Sequence, residues 1–107
     1  MRLTQTTMVG TMAYMAPEVL NRQNSDSKVD IWALGVILYE FLTCKHPFSL
    51  SIGAITNEPF APLPRSVSPF MKRLVSKLLD KDPKTRPSAE ILLNIEEIKS
   101  SALNVVK

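Results

Sequence analysis

Between Val29 and Thr43 the chain carries a helix-length stretch that is apolar almost all round: Ile31, Trp32, Ala33, Leu34, Val36, Ile37, Leu38, Tyr39, Phe41 and Leu42. A helix without a polar face has no side to offer water, so the stretch predicts a helix buried on every side. The other segments must then wrap it. The near-apolar run from Ile31 to Tyr39 is closed by Glu40, well short of the ~18 residues of a membrane span. Gly35 sits in mid-helix, where glycine costs about 1 kcal/mol relative to alanine. A cost of that kind predicts the close approach of another backbone at this point. Ser27 and Asp30 have the spacing of a capping box, with Asp30 capping its own helix.

Composition sets the scale of the wrapping. The chain has 107 residues, 45% hydrophobic and 21% charged, which is globular and excludes a collagen-like or wholly disordered chain. The length fits one small domain. Met1-Arg2-Leu3 is followed by threonines rather than an apolar stretch, so no secretory leader is expected. Cys44 is the single cysteine, which excludes an internal disulfide and makes the reducing cytosol or nucleus the expected compartment. With His46 the single histidine, no metal cluster is expected, and packing or surface roles suit both residues better than ligation. The net charge of +3 lies in the second half of the chain. There Lys72, Arg73, Lys77 and Lys81 follow a helical pattern near Asp80 and Asp82, without interleaved aromatic residues. That reads as a solvated helix face rather than a nucleic-acid surface.

The remaining segments are short. Ala16-Pro17-Glu18-Val19-Leu20 predicts one helical turn, since proline is tolerated where its missing N–H has no partner anyway. Residues 21–27 are all polar and make a loop. Seven of the eight prolines fall between Pro47 and Pro87, so residues 44–68 are mostly loop, with at most a short helix near Ser51–Thr56. Ser68-Pro69 opens an amphipathic helix, with Met71, Leu74, Val75, Leu78 and Leu79 at helical spacing, and Asp80 to Pro83 closes it. Ser88 caps a last helix through Ala89, Leu92 and Leu93, with Ile95, Glu96 and Ile98 as its candidate continuation. No segment reads as a convincing strand.

Taken in order, four motifs point to a family. Val9-Gly10-Thr11-Met12-Ala13-Tyr14-Met15-Ala16-Pro17-Glu18 resembles the end of the activation segment of a eukaryotic protein kinase, closing in Ala-Pro-Glu. Asp30-Ile31-Trp32-Ala33-Leu34-Gly35 resembles the family's Asp-x-Trp-x-x-Gly helix. Lys45-His46-Pro47-Phe48 falls at the family's Pro-Phe turn. Leu78-Leu79-Asp80-Lys81-Asp82-Pro83-Lys84-Thr85-Arg86-Pro87-Ser88 resembles its closing signature. The resemblance spans about residues 7–95. Gly10-Thr11 points to the serine/threonine branch, and Leu42 to Phe48 is similar to NIMA-related kinases. The implied fold class is mainly α: a truncated kinase C-terminal lobe of helices with long loops and no sheet. It makes 1–107 a partial domain, 1–18 the end of the activation segment and 100–107 a tail.

Phosphoryl transfer in this family needs a glycine-rich loop, a lysine on the phosphates, a catalytic-loop Asp and Asn, and a metal-binding Asp-Phe-Gly. The chain has three glycines, at 10, 35 and 53, and neither His-Arg-Asp nor Asp-Phe-Gly. The resemblance therefore implies no catalytic residue, metal site or cofactor site in this chain; ATP and magnesium belong to the complete domain. It implies protein substrates or a kinase-fold partner, and neither nucleic acid nor membrane.

The resemblance also assigns roles residue by residue. Gly10 and Thr11 would form the platform that receives the substrate residue after the phosphoacceptor. Thr7 matches the activation phosphosite, with Thr4 and Thr6 as alternatives; a phosphate adds about −1.5 to −2 charge and orders a loop through arginine. Glu18 and Arg86 would form a buried ion pair. Asp30 would meet the missing catalytic loop, and Trp32 would be core. The segment from Ser49 to Ala61 departs from the family, which usually has a longer amphipathic docking helix there. About four large residues of the Trp32 helix are expected to lose their cover, leaving a marginally stable chain with an apolar patch.

Overall fold

The computed structural model describes residues 12–48, 51–95 and 98. Among the described residues five helices are delimited: α1 (Pro17–Leu20), α2 (Lys28–Thr43), α3 (Ile52–Asn57), α4 (Pro69–Leu78) and α5 (Ala89–Leu93). No strand occurs among the described residues. The residues Thr4, Thr6, Thr7, Gly10 and Thr11 and the tail 100–107 lie outside the described part.

Local chemistry explains the helix starts. Pro17 takes the first position of α1, after an extended Ala16. Ser51, Ser68 and Ser88 each accept a backbone N–H through the side-chain oxygen, from Ala54, Met71 and Ile91 respectively. α2 starts differently. Ser27 is already helical, with φ −62° and ψ −13°, and its hydroxyl makes no capping bond. A capping hydroxyl needs extended backbone, so the expected Ser27–Asp30 box does not form. Instead Asp26 Oδ1 accepts from the Lys28 amide at 2.9 Å. α2 ends at Cys44, whose φ of 60° is left-handed and whose amide donates to the Glu40 carbonyl at 2.7 Å.

The main core gathers Trp32, Val36 and Tyr39 of α2 with Ala16, Phe48, Ala54, Ile55, Val75 and Leu79. A smaller cluster joins Ile31, Leu78 and Leu92. Gly35 marks the contact of α2 with the end of α4. A Cβ there would lie 2.8 Å from Leu78 Cβ and 2.8 Å from Leu79 Cδ2. The close approach is real, but it is made by side chains and not by the expected backbone.

α2 is not buried on every side. Leu34 is 47%, Ile37 53% and Phe41 83% exposed. The helix is covered along one stripe, while a second, equally apolar stripe faces outward. Next to it an open apolar groove of about 340 Å³ runs between α2, α4 and α5, floored by Ile31, Leu38, Leu74 and Leu78.

Candidate functional site

The site is built around the side chain of Arg86. Asp80 to Ser88 first fold into a self-wired loop. Asp80 Oδ1 accepts from the Asp82 amide at 3.0 Å, Asp80 Oδ2 from the Thr85 hydroxyl at 2.6 Å, and Asp82 Oδ1 from the Lys84 amide at 2.9 Å. Short acidic side chains that bond backbone two residues on suit such turns. Pro83 and Pro87 restrict the loop further. The loop aims Arg86 inward, and its Nε donates to the Asp80 carbonyl at 2.8 Å.

The guanidinium then meets Glu18 in a two-pronged pair. Nη1 donates to Oε2 at 2.8 Å and Nη2 to Oε1 at 2.9 Å, with both side chains 0% exposed. Nη1 also donates to the Lys28 carbonyl at 3.0 Å. One arginine thus ties α1, the start of α2 and the end of α4 together. Planar, bidentate geometry is what guanidinium offers and lysine cannot. Burial works against the Glu18 carboxylate, yet the Arg86 hydrogen bonds, Glu18's own amide and the Arg86 charge hold its pKa below the ordinary value. Lys28 reinforces the knot by donating through Nζ to the Pro83 carbonyl at 3.0 Å.

Beneath Arg86 lies an aromatic layer. Trp32 and Phe48 stack at 5.6 Å with an 8° angle between their planes. The Arg86 guanidinium sits 5.3 Å from the Trp32 ring centre. Lys81 Nζ lies 4.0 Å over Phe48 and donates to the Ile55 carbonyl. Cations over aromatic faces are attracted by the ring quadrupole. Burial pulls the Lys81 ammonium down to about 8, while Glu58 works in the other direction.

The segment leading into α1 is held from the opposite end of α2. The Tyr14 hydroxyl donates to Glu40 Oε1 at 2.8 Å. His46 Nε2 lies 2.7 Å from the Ala13 carbonyl oxygen. The Met15 amide donates to the Met12 carbonyl at 3.1 Å, and Ala16 is buried. Residues 12–18 are thus fastened at both ends of α2.

The sequence-predicted residues are therefore not all in one place. Ala16, Pro17, Glu18, Trp32 and Arg86 come together. Gly35 faces Leu78 and Leu79, away from the ion pair. Asp30 is exposed, and among the described residues its carboxylate takes no hydrogen bond, not even as the expected cap. His46, Tyr14 and Lys81 make contacts that the residue patterns do not announce, because each reaches a distant partner across the fold. No group of three or more His, Cys, Asp or Glu among the described residues is arranged to hold a metal ion.

The protein kinase domain matches residues 2–96 of the chain. The chain belongs to the protein kinase domain family. It is 40% identical over 97 residues to serine/threonine-protein kinase A of Trypanosoma brucei brucei, covering 86% of this chain and 22% of that protein. It is 41% identical over 92 residues to the serine/threonine-protein kinase Nek3 of Mus musculus, covering 81% of this chain and 18% of the relative. Identity to the serine/threonine-protein kinase PLK1 of Xenopus laevis is 38% over 95 residues, covering 84% and 16%. Likeness to the Nek type is thus nearly matched by likeness to the polo type. The chain spans about a fifth of the length of these relatives and corresponds to part of a serine/threonine kinase domain. No helix of the described residues is long and apolar enough to cross a membrane.

Proposed function

We propose that this chain is the substrate-receiving half of a kinase C-terminal lobe, and that the complete protein phosphorylates serine or threonine in protein substrates. The observation that carries the reading is the buried, bidentate Glu18–Arg86 pair. It fixes the end of the activation segment to the loop before the last helix, whatever happens upstream. In this reading Gly10 and Thr11 form the platform beside the phosphoacceptor, and Thr7 is the activating phosphosite. Its phosphate would pair with arginine from a part of the domain outside this chain.

ATP and magnesium do not fit the residues present. The chain carries no glycine-rich loop, no catalytic-loop aspartate and no Asp-Phe-Gly. Nucleotide binding and general-base chemistry are accordingly assigned to the rest of the domain, and no step is assigned to this chain. Its own residues hold a segment in place. The outward stripe of Leu34, Ile37 and Phe41 is where we place the packing of that remainder. The cytosol or nucleus suits a chain with a free, exposed Cys44.

The exposed apolar stripe also favours a second reading, a non-catalytic kinase-like module that binds a partner through it. A phosphotransfer assay on the complete protein, with a mixed Ser/Thr peptide library, separates the two. Incorporation of phosphate that disappears with Arg86→Ala supports the kinase reading. Absence of transfer, with a stable complex lost on Phe41→Lys, supports the module. The chain by itself is expected to show no thermal shift with magnesium–ATP, and a saturable shift would contradict that.

A further inference from the structure

We propose that His46 is a positioning residue for the substrate-receiving segment, its imidazole bracing Ala13 against the turn that follows α2. The inference rests on the kinase reading above for its catalytic consequence, but its geometry stands on this chain alone. His46 Nε2 lies 2.7 Å from the Ala13 carbonyl oxygen, 33 residues away in sequence. A carbonyl only accepts, so Nε2 carries a proton and donates.

The other ring nitrogen faces Phe48. Nδ1 is 3.1 Å from the Phe48 amide nitrogen and 2.7 Å from its carbonyl oxygen. A bare Nδ1 accepts from the amide, and a protonated Nδ1 donates to the carbonyl. In both arrangements Nε2 is the donor to Ala13.

The ring is also held in direction. It packs edge-on against Phe48, with centres 6.3 Å apart and planes at 62°, and Phe48 is itself stacked on buried Trp32. Pro47 between them fixes the backbone of the turn. Its neighbour in the held segment, Tyr14, has a bond to Glu40 that is exposed, where water competes for both partners. The His46–Ala13 bond is partly buried, and the His46 ring packs on Phe48 of the main core. Because Ala13 contributes only its carbonyl, the specificity of the brace lies wholly in the length and donor of residue 46. Ala13 lies two residues after Thr11 in the sequence, so in the kinase reading the brace acts next to the substrate platform.

The test uses three variants in the complete protein. His46→Phe keeps a flat ring without a donor. His46→Asn reaches only the Phe48 side. His46→Gln carries an amide N–H near the place of Nε2. Peptide KM, ATP KM and kcat are measured for each, together with hydrogen exchange of the Met15 amide. Loss of one net hydrogen bond predicts a rise of about three- to tenfold in peptide KM for the Phe and Asn variants. ATP KM stays unchanged, and Gln restores most of the loss. Exchange at Met15 accelerates in the Phe and Asn variants and not in Gln. Wild-type peptide KM and exchange in His46→Phe would overturn the brace. So would equal losses in all three variants that include ATP KM, which would mark a merely structural ring. If the wild-type complete protein transfers no phosphate, the kinase reading fails by itself. The exchange pattern then decides the brace, faster in Phe and Asn alone supporting it and uniform exchange overturning it.

Discussion

The two stripes of α2 have the same chemistry and opposite fates. Trp32, Val36 and Tyr39 are buried against Phe48, Val75 and Leu79, with cations of Arg86 and Lys81 laid over the aromatic layer. Leu34, Ile37 and Phe41 are no less apolar, yet face outward. Burying one such side chain is worth about 1.5–3 kcal/mol, so an open stripe of three forfeits a large part of the ~5–15 kcal/mol that stabilises a domain. The difference is one of cover and not of side-chain chemistry: one stripe has neighbours to pack on and the other has none among the described residues. The covered stripe is organised by a polar knot, and the open stripe by nothing within the described residues.

The comparison breaks first at the knot. Arg86→Ala in the complete protein strands the buried Glu18 carboxylate and the Lys28 and Asp80 carbonyls. It is expected to cost about 3–5 kcal/mol in denaturant unfolding. A loss below about 1 kcal/mol, usual for exposed pairs, would mean that the covered stripe is not locked by this pair. Acid should reach the same knot. The folded pKa of Glu18 is lowered, so the pair's stabilisation is complete above the ordinary value of 4.5 and lost as pH falls through the lower folded value. Arg86→Ala should flatten that acid limb.

A smaller effect is expected at the seam between α2 and α4. Gly35→Ala would force a methyl against Leu78 Cβ, which cannot swing away, at about 1–3 kcal/mol of overpacking. A gain in stability from better helix propensity would contradict the tight seam. Removing the cap of α4 with Ser68→Ala should cost about 1 kcal/mol, read from the unfolding midpoint.

A pH-dependent effect concerns Lys81. Its folded pKa is lowered to about 8 from 10.5. Below about 8 the ammonium is present in both states and the cost of burying it is borne in full. From about 8 to 10.5 only the unfolded chain binds the proton, so stability rises with pH across that window. Lys81→Met should remove this rise. An unchanged slope in the variant would assign it to other groups.

Much of this arrangement is legible in the sequence, for uneven reasons. α4 can be read outright, because Ser68-Pro69 and the spacing of Leu74, Val75 and Leu78 are local signals. The Glu18–Arg86 pair cannot be read from spacing, since 68 residues separate its members; only the family motifs join them. Asp30 was misleading because capping is decided by backbone angles at Ser27, which the residue types do not reveal. His46, Tyr14 and Lys81 stay silent for a related reason. His46 and Lys81 bond backbone carbonyls, which every residue possesses, so no residue type marks the partner. Tyr14 meets Glu40 only once the chain has turned back on α2. The excess apolarity of α2 was plain, but its meaning depends on which neighbours are present.

That dependence can be measured at Phe41, which is 83% exposed here. Truncating a residue this exposed ordinarily changes stability by no more than about 0.5 kcal/mol. If the rest of a kinase lobe packs on this stripe, Phe41→Ala in the complete protein should instead cost about 3–5 kcal/mol in equilibrium unfolding, as for a buried phenylalanine. A change within about 0.5 kcal/mol would contradict the account, because the stripe would then be solvent-facing in the whole protein too.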